Sequence, residues 1–322
     1  SHTRLQEERG MYGGIIIHPK DRTADEPRDV LVVLSDWIDE NQKDVLRTLK
    51  RGSEWYGAKK GSRPNVLDAI RRRRFGAYLR RAWSRMHGVD ISDVAYDAYL
   101  VHGEREHHVT GSPGEQIRLR VVNASASTYF YLHAADQPLR IVASDGLDVE
   151  PVEIERLLIG IAETYDVLVT IPEDGALELL ATAQDGSGSA SLILGEGDVR
   201  RAKAVPQPDF YELSDPARMP MMKVLGTGMI MKGDMSLEMR RKKEDFGKAP
   251  GRPRAPYEQL RALKSTALPA KRKWREYTFK LQGDMDRYVW QMNGQVLSEK
   301  RKVLIKKGEN VRFTLINQSM MH

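Results

Sequence analysis

The sequence predicts an all-β protein built from β-sandwich domains, and two observations carry this prediction. From residue 98 onward, short apolar segments recur about every 8 to 12 residues and are separated by turn residues such as Gly111 and Pro151. Within several segments apolar and polar residues alternate, as at Ile117 and Leu119, so that one sheet face is buried and the other faces water. No segment approaches the about 18 consecutive apolar residues of a membrane helix.

The first half of the chain adds two features to this pattern. Residues 11–19 read as the last strand of one domain, and residues 29–37 read as a continuous buried strand that opens the next. From about residue 40 to 90 the pattern becomes helical and basic, and across 66–86 the apolar residues recur at intervals of about three or four. We therefore predict a helical insertion within the second domain.

The second half predicts a connector followed by another β-region. The regular spacing of strands ends at residues 201–273, which are rich in proline, methionine and basic residues. We expect this segment to lie over other surfaces or to stay mobile. Alternation resumes at 277–281 and 303–316. The predicted domains are 1–25 (end of the first), 26–200 (the second, with its insertion at about 40–90), 201–273 (Met-rich, basic connector) and 274–322 (start of a third, truncated).

Composition limits the chemistry that this chain can perform alone. Cysteine is absent, which excludes disulfides, thiolate metal sites and cysteine nucleophiles within the 322 residues. The net charge of +6 is unevenly distributed: residues 41–90 and 240–280 each hold 14 Lys and Arg against 4 Asp and Glu, whereas residues 100–200 hold 6 against 17. Nucleic-acid binding through Arg71–Arg74 is disfavoured, because an acidic domain between basic segments repels phosphate and no recognition motif accompanies the arginines.

The order of several motifs along the chain resembles that of a known family. The motifs, each weak alone, are Ser1-His2-Thr3 with Gln6-Glu7-Glu8 and Gly10-Met11-Tyr12-Gly13, Ser35-Asp36-Trp37, 114–120 with Asn123 and Ser125, Asp145-Gly146, 162–167, Asn293-Gly294, Gly308-Glu309 and 317–321. Together they resemble the multicopper oxidases. Ser35-Asp36-Trp37, the basic insertion and Met320-Met321 favour the bacterial copper-resistance type.

This resemblance implies cupredoxin-like Greek-key β-sandwich domains and an internal fragment of a three-domain oxidoreductase. Copper is implied as the cofactor, in a type 1 site and a trinuclear type 2/type 3 cluster. The implied partners are copper ions, dioxygen and a small reducing substrate such as Cu(I) or a phenol-like donor, with neither nucleic acid nor membrane insertion. A periplasmic location is also implied. The fragment alone is expected to be inactive, because most of the family's ligands would lie outside it.

Two histidines at the ends of the chain are candidate copper ligands by this resemblance. His2 corresponds to the second histidine of an H-x-H pair and would bind a type 3 copper; alternate residues of a strand share a face, which lets such a pair reach neighbouring metals. A terminal residue without a metal role is the alternative. His322 would be either the type 1 ligand or its neighbour. The histidines at 18, 87, 102, 107, 108 and 133 match no ligand position.

A methionine cluster is a second candidate metal site. Seven of the 13 methionines fall within 21 residues: Met219, Met221, Met222, Met229, Met231, Met235 and Met239. Thioethers are soft ligands that select Cu(I), so this segment could capture substrate ions. Its alternative is a loop that covers an apolar patch. For the whole protein, the alternative to an oxidase is a copper-free cupredoxin-like scaffold, because a fold does not fix a function.

Overall fold

The structure is a computed structural model of the 322-residue chain. It describes residues 5–18, 20, 26–51, 55–62, 65–84, 91–203, 205–208, 211, 252–268, 274–284, 288–298 and 302–318. The strands are β1 (Arg28–Trp37), β2 (Ala98–Val101), β3 (Glu106–Val109), β4 (Gln116–Asn123), β5 (Phe130–Ala134), β6 (Leu139–Ser144), β7 (Leu147–Ile154), β8 (Leu157–Ile159), β9 (Thr164–Thr170), β10 (Ala176–Ala183), β11 (Ser189–Gly195), β12 (Val199–Arg200), β13 (Trp274–Asp284), β14 (Val289–Met292) and β15 (Asn310–Asn317). The helices are a 3-10 turn (Glu7–Arg9), α1 (Gln42–Lys50), α2 (Trp55–Lys59), α3 (Val66–Arg71) and α4 (Phe75–Ser84).

Two sheets form a β-sandwich in the first of two compact units, which comprises 1–42, 94–208 and 246–264. The first sheet has the order β2-β1-β4-β9-β6-β7, and the second has the order β3-β11-β10-β5-β8 with β12 beside β10. Most neighbours are antiparallel, but β1 and β4 are parallel, as are β11 and β3. Strands far apart in sequence are therefore neighbours, and the predicted all-β sandwich is confirmed.

The core lies between the two sheets and follows the alternation in the sequence. Ile117, Leu119 and Val121 on β4 are fully buried, and Ile141 on β6 is buried beside them. Tyr99 on β2 packs edge-on against a second-sheet residue, Phe130, with 5.7 Å between ring centroids. The alternating residues of the predicted strands thus point into one shared apolar core.

The helical insertion consists of four short helices within residues 42–84. Arg73, with φ of 56°, adopts a left-handed backbone conformation between α3 and α4, which divides the periodic segment 66–86 into two helices. Asn65 begins α3 by accepting a hydrogen bond from the Asp68 amide at 2.8 Å. The apolar residues that suggested one amphipathic helix are exposed, and Trp83 is 92 % exposed.

The strand expected at 11–19 is wrong for residues 11–18, and residue 19 lies outside the described residues. A strand needs a hydrogen-bonded neighbour, and none of the described strands pairs with this segment. Ile15 and Ile17 are accordingly exposed rather than buried. The segment is instead held by side chains, as described below.

The far end of the predicted connector packs on the sandwich. Ala262 forms an antiparallel bridge with Val149 on β7, the edge strand of the first sheet. Arg252 is buried, lies over the Tyr131 ring and donates to the Pro206 carbonyl. Residues 252–263 therefore cover the sandwich surface, as expected for a segment that cannot fold alone.

The second unit comprises 43–93, 209–245 and 265–322, and it contains α1 from residue 43 onward, α2, α3, α4 and a small sheet of order β14-β13-β15. Strands β13 and β15 are parallel, and Tyr277, Phe279 and Phe313 form an aromatic cluster with centroids 5.5 to 6.2 Å apart. Phe313 remains 50 % exposed. Phe313 is therefore the exposed member of this aromatic cluster, whereas Tyr277 and Phe279 are partly buried.

Candidate functional site

The predicted copper ligands lie outside the described residues. This holds for His2, for His322 and for all seven methionines, Met219, Met221, Met222, Met229, Met231, Met235 and Met239. Among the residues that the structure does describe, no group of three or more His, Cys, Asp or Glu side chains could hold a metal ion. The described part of the chain therefore does not by itself supply a copper site, and the ligand assignments remain predictions.

The described histidines have ordinary hydrogen-bond or ion-pair partners. His107 contacts Glu104 at 2.8 Å and His108 contacts Glu106 at 3.1 Å, so these adjacent residues serve different carboxylates. His133 lies 2.7 Å from the Lys203 carbonyl, and burial lowers its pKa. His102 contacts the Leu31 carbonyl and His18 lies 3.4 Å from Asp29; His87 is outside the described residues. The expectation that none of these histidines binds copper stays a prediction.

A buried carboxylate near the end of β1 forms the most elaborate polar site in the described residues. β1 is an apolar run that ends in Ser35-Asp36-Trp37, and Asp36 is only 3 % exposed. Its two oxygens accept hydrogen bonds from the amides of Ala126, Ser127 and Thr128 and from the Thr128 hydroxyl, at 2.7 to 3.1 Å. Burial raises the pKa of Asp36, and these four donors oppose that rise by stabilising the carboxylate.

The loop that surrounds Asp36 is held from its other side by Asn123. This residue ends β4 and is fully buried. Its amide nitrogen donates to the carbonyls of Thr128 and Ile159, at 2.9 and 3.2 Å, and its oxygen accepts from the Ser125 amide. Asp36 and Asn123 thus bond five backbone groups of the loop 124–129 between β4 and β5, which restrains its conformation.

Tyr96 links a second carboxyl group, that of Glu8, to this loop. Tyr96 is 9 % exposed, and its hydroxyl lies 2.7 Å from the Ser127 hydroxyl and 3.2 Å from Glu8 Oε1, to which it donates. Burial, together with the negative charge of Asp36, raises the pKa of Glu8 to about 7. Burial likewise raises the pKa of Tyr96, so its hydroxyl remains protonated near neutral pH. We call Glu8, Asp36, Tyr96, Ser127 and Thr128 the Asp36 cluster.

Sequence reasoning found only part of this cluster. Ser35-Asp36-Trp37, Asn123 and Glu8 appeared in the motifs, but Tyr96, Ser127 and Thr128 were missed. One signal was available, because an acidic residue at the end of a buried apolar strand needs nearby donors. Its donors lie about 90 residues further along the chain, and no local pattern connects them.

The sandwich topology and the motif order agree with a comparison against family models. The model described as "Multicopper oxidase" matches residues 28–191, which is half of the chain. The chain therefore belongs to the multicopper oxidase family, a family of oxidoreductases whose cofactor is copper in type 1 and trinuclear sites.

Curated relatives narrow the resemblance. The chain is 30% identical over 400 residues to copper resistance protein A of Escherichia coli, an alignment that covers 100% of this chain and 65% of that protein. It is 28% identical over 383 residues to a copper resistance protein A homolog of Pseudomonas syringae pv. tomato, covering 100% and 64%. The chain thus spans slightly less than two thirds of the length of these two relatives.

One solved structure supports the fold. The chain superimposes on Fet3p, described as a multicopper oxidase that functions in iron import, with a TM-score of 0.50 and 12% sequence identity. The match covers 87% of this chain and 41% of that one. No helix in the described residues is long and apolar enough to span a membrane.

Proposed function

We propose that this chain is part of a multicopper oxidase of the copper-resistance type. In this proposal the whole protein couples one-electron oxidation of Cu(I), or of phenol-like donors, to the four-electron reduction of dioxygen to water, and so contributes to copper tolerance in the periplasm. The observation that carries the proposal is the family match across 28–191, joined to alignments that extend over the whole chain to copper resistance proteins.

Within this proposal His2 is a type 3 copper ligand, completed by ligands beyond this sequence. Imidazole and sulfur ligands suit an ion that alternates between Cu(I) and Cu(II). The described residues contain no group of three or more His, Cys, Asp or Glu that could hold a metal, and the resemblance marks His2 and His322, both outside them, as candidate histidine ligands. The same observation favours a second candidate, a copper-free cupredoxin-like scaffold.

The nucleotide sequence on both sides of the reading frame separates the two candidates. An oxidase requires an H-x-H pair ending at His2 upstream, and H-P-x-H-x-H and H-C-H segments downstream. Copper analysis of the longer protein then gives several copper ions per chain. Absence of those histidines from the flanking frame would leave the scaffold as the function.

We further propose that the seven clustered methionines, Met219, Met221, Met222, Met229, Met231, Met235 and Met239, bind Cu(I) as a substrate. Thioether sulfur prefers Cu(I), and leucine has a similar volume without a ligand atom. Replacing all seven by leucine should weaken Cu(I) binding in a competition titration with a coloured chelator. Met11→Leu with Met292→Leu is the matched control, because both side chains are exposed and lie outside the cluster. Unchanged Cu(I) affinity in the seven-residue variant would refute this role.

A further inference from the structure

The segment that follows His2 in the sequence is fastened to the sandwich by side chains rather than by strand pairing. Beyond the 3-10 turn, the Tyr12 hydroxyl donates to the buried Ser35 hydroxyl at 2.7 Å. Gly14 lies so close to β1 that an added Cβ would be 2.6 Å from Leu31 Cδ1. A segment without backbone pairing has little to offset its conformational entropy except such contacts. Their loss should therefore release it.

Tyr96 joins this segment to the rigid loop. Its hydroxyl contacts Glu8 on one side and Ser127 on the other, and the Ser127 amide donates to Asp36. A hydroxyl donates only one proton, so Ser127 donates to Tyr96 while Tyr96 donates to ionised Glu8. When Glu8 is protonated, the same chain can run in the opposite direction. The contacts can therefore persist in both protonation states of Glu8.

We propose that Glu8, Tyr96 and Ser127 form a clamp that holds residues 5–14 on the second domain, and that Glu8 is thereby a positioning residue for His2, six residues earlier. The second part rests on the proposed function, in which His2 binds copper. The clamp itself involves only described residues of this chain and does not depend on metal.

The reason for assigning a positioning role is geometric. A metal ligand must be held in place by a supporting shell that is itself rigid. Asp36 and Asn123 hold the loop 124–129 with six hydrogen bonds, and the Ser127 hydroxyl of that loop lies 2.7 Å from the Tyr96 hydroxyl. Glu8 accepts the hydrogen bond from Tyr96 and thereby connects this loop to the segment that follows His2 in the sequence.

The clamp is tested first in the 322-residue chain by amide hydrogen exchange. The amides of Arg9, Gly10 and Met11 are hydrogen bonded within the 3-10 turn and report on its release. Glu8→Ala and Tyr96→Phe should speed their exchange about tenfold, since each removes a partly buried hydrogen bond. Glu8→Gln keeps the acceptor and should restore protection. Tyr165→Phe is the matched control, because Tyr165 on β9 is also buried and its hydroxyl also bonds a serine, Ser144, outside the Asp36 cluster.

The positioning role is tested in the longer, copper-loaded protein. Tyr96→Phe should lower the copper content per chain and weaken the type 3 absorption, whereas the type 1 band should stay unchanged. Tyr165→Phe should leave both signals unchanged. Unchanged exchange in both Glu8→Ala and Tyr96→Phe would refute the clamp. Faster exchange with an unchanged type 3 spectrum would refute positioning of His2. A wild-type protein that binds no copper would refute the proposed function and leave the exchange result standing.

Discussion

Strands β4 and β15 lie in two different sheets and share a parallel pairing, but β4 is an inner strand, β15 is an edge strand, and their leucines differ in exposure. Each strand pairs in parallel with the first strand of its region, β4 with β1 and β15 with β13. Each also alternates apolar and polar residues. Leu119 on β4 is fully buried, however, whereas Leu315 on β15 is 62 % exposed. Alternation therefore tells which side chains share a face, but not what covers that face.

The largest expected difference concerns these two leucines. Leu119→Ala should lower the opening free energy of β1 and β4 by about 3 kcal/mol, because it removes buried apolar surface and leaves a cavity. Leu315→Ala should lower the opening free energy of β13 and β15 by less than about 0.5 kcal/mol. Segment-resolved hydrogen exchange measures both values in one chain. Equal losses would show that Leu315 is covered in solution.

A second comparison uses the ion pairs on the same strands. Arg120 on β4 contacts Asp29 at 3.0 Å and Asp166 at 2.8 Å, with side chains 6 to 17 % exposed. Arg312 on β15 contacts Glu276 at 2.9 Å, with both side chains more than half exposed. Arg120→Met should cost about 2 kcal/mol, because it leaves Asp29 buried without the guanidinium.

Arg312→Met should cost less than about 1 kcal/mol, since water already screens that pair and the contact of the guanidinium with the exposed Trp274 ring is weak. The same exchange experiment reports each change in its own sheet. High salt should reduce the loss of opening free energy caused by Arg312→Met. It should leave the loss caused by Arg120→Met nearly unchanged, because partly buried pairs are screened much less. A large, salt-insensitive loss in the Arg312 variant would contradict this account.

The sequence predicted features that depend on neighbouring residues in the chain. The buried strand at 29–37, the inward-facing residues Ile117 and Ile141, and the presence of short helices in the basic insertion all follow from local periodicity. The strand expected across 11–18 was wrong because pairing is a non-local property that the apolar run Ile15 to Ile17 does not encode. The same reason explains why Tyr96 was missed: its partner Glu8 is 88 residues away.

Protonation of Glu8 should make the stability of the sandwich depend on pH. Its folded pKa is raised from 4.5 to about 7, so the folded state holds the proton more tightly than the unfolded state does. Stability from this group is therefore present below about pH 4.5 and is lost as the pH rises towards 7. Asp36 on β1, Tyr96 before β2, and Glu7 on its own turn are the charged or titratable groups that influence it.

Between pH 5 and pH 8, the opening free energy of the wild-type protein should fall by about 1 to 2 kcal/mol more than that of Glu8→Gln. This energy is reduced to allow for the partial exposure of Glu8. Exchange of residues 9–11 and of β1, corrected for intrinsic pH effects, measures this difference. Glu196→Gln, which removes an exposed carboxylate, is the control and should follow wild type. An identical pH response in wild type and Glu8→Gln would contradict burial of the Glu8 carboxyl.

The smallest expected difference between the two regions concerns two glycine turns, where substitution should cost the same in both. Asp145-Gly146 connects β6 to β7, and Asn293-Gly294 follows β14; all four residues have positive φ, from 48 to 77°. A Cβ added at either glycine meets no atom within 4 Å, so only backbone strain opposes substitution. Gly146→Ala and Gly294→Ala should each cost about 1 kcal/mol, measured by exchange in the adjoining strands. Because this cost arises within the turn, burial should not change it, and a clearly larger loss at Gly146 would mean that the sandwich amplifies local strain.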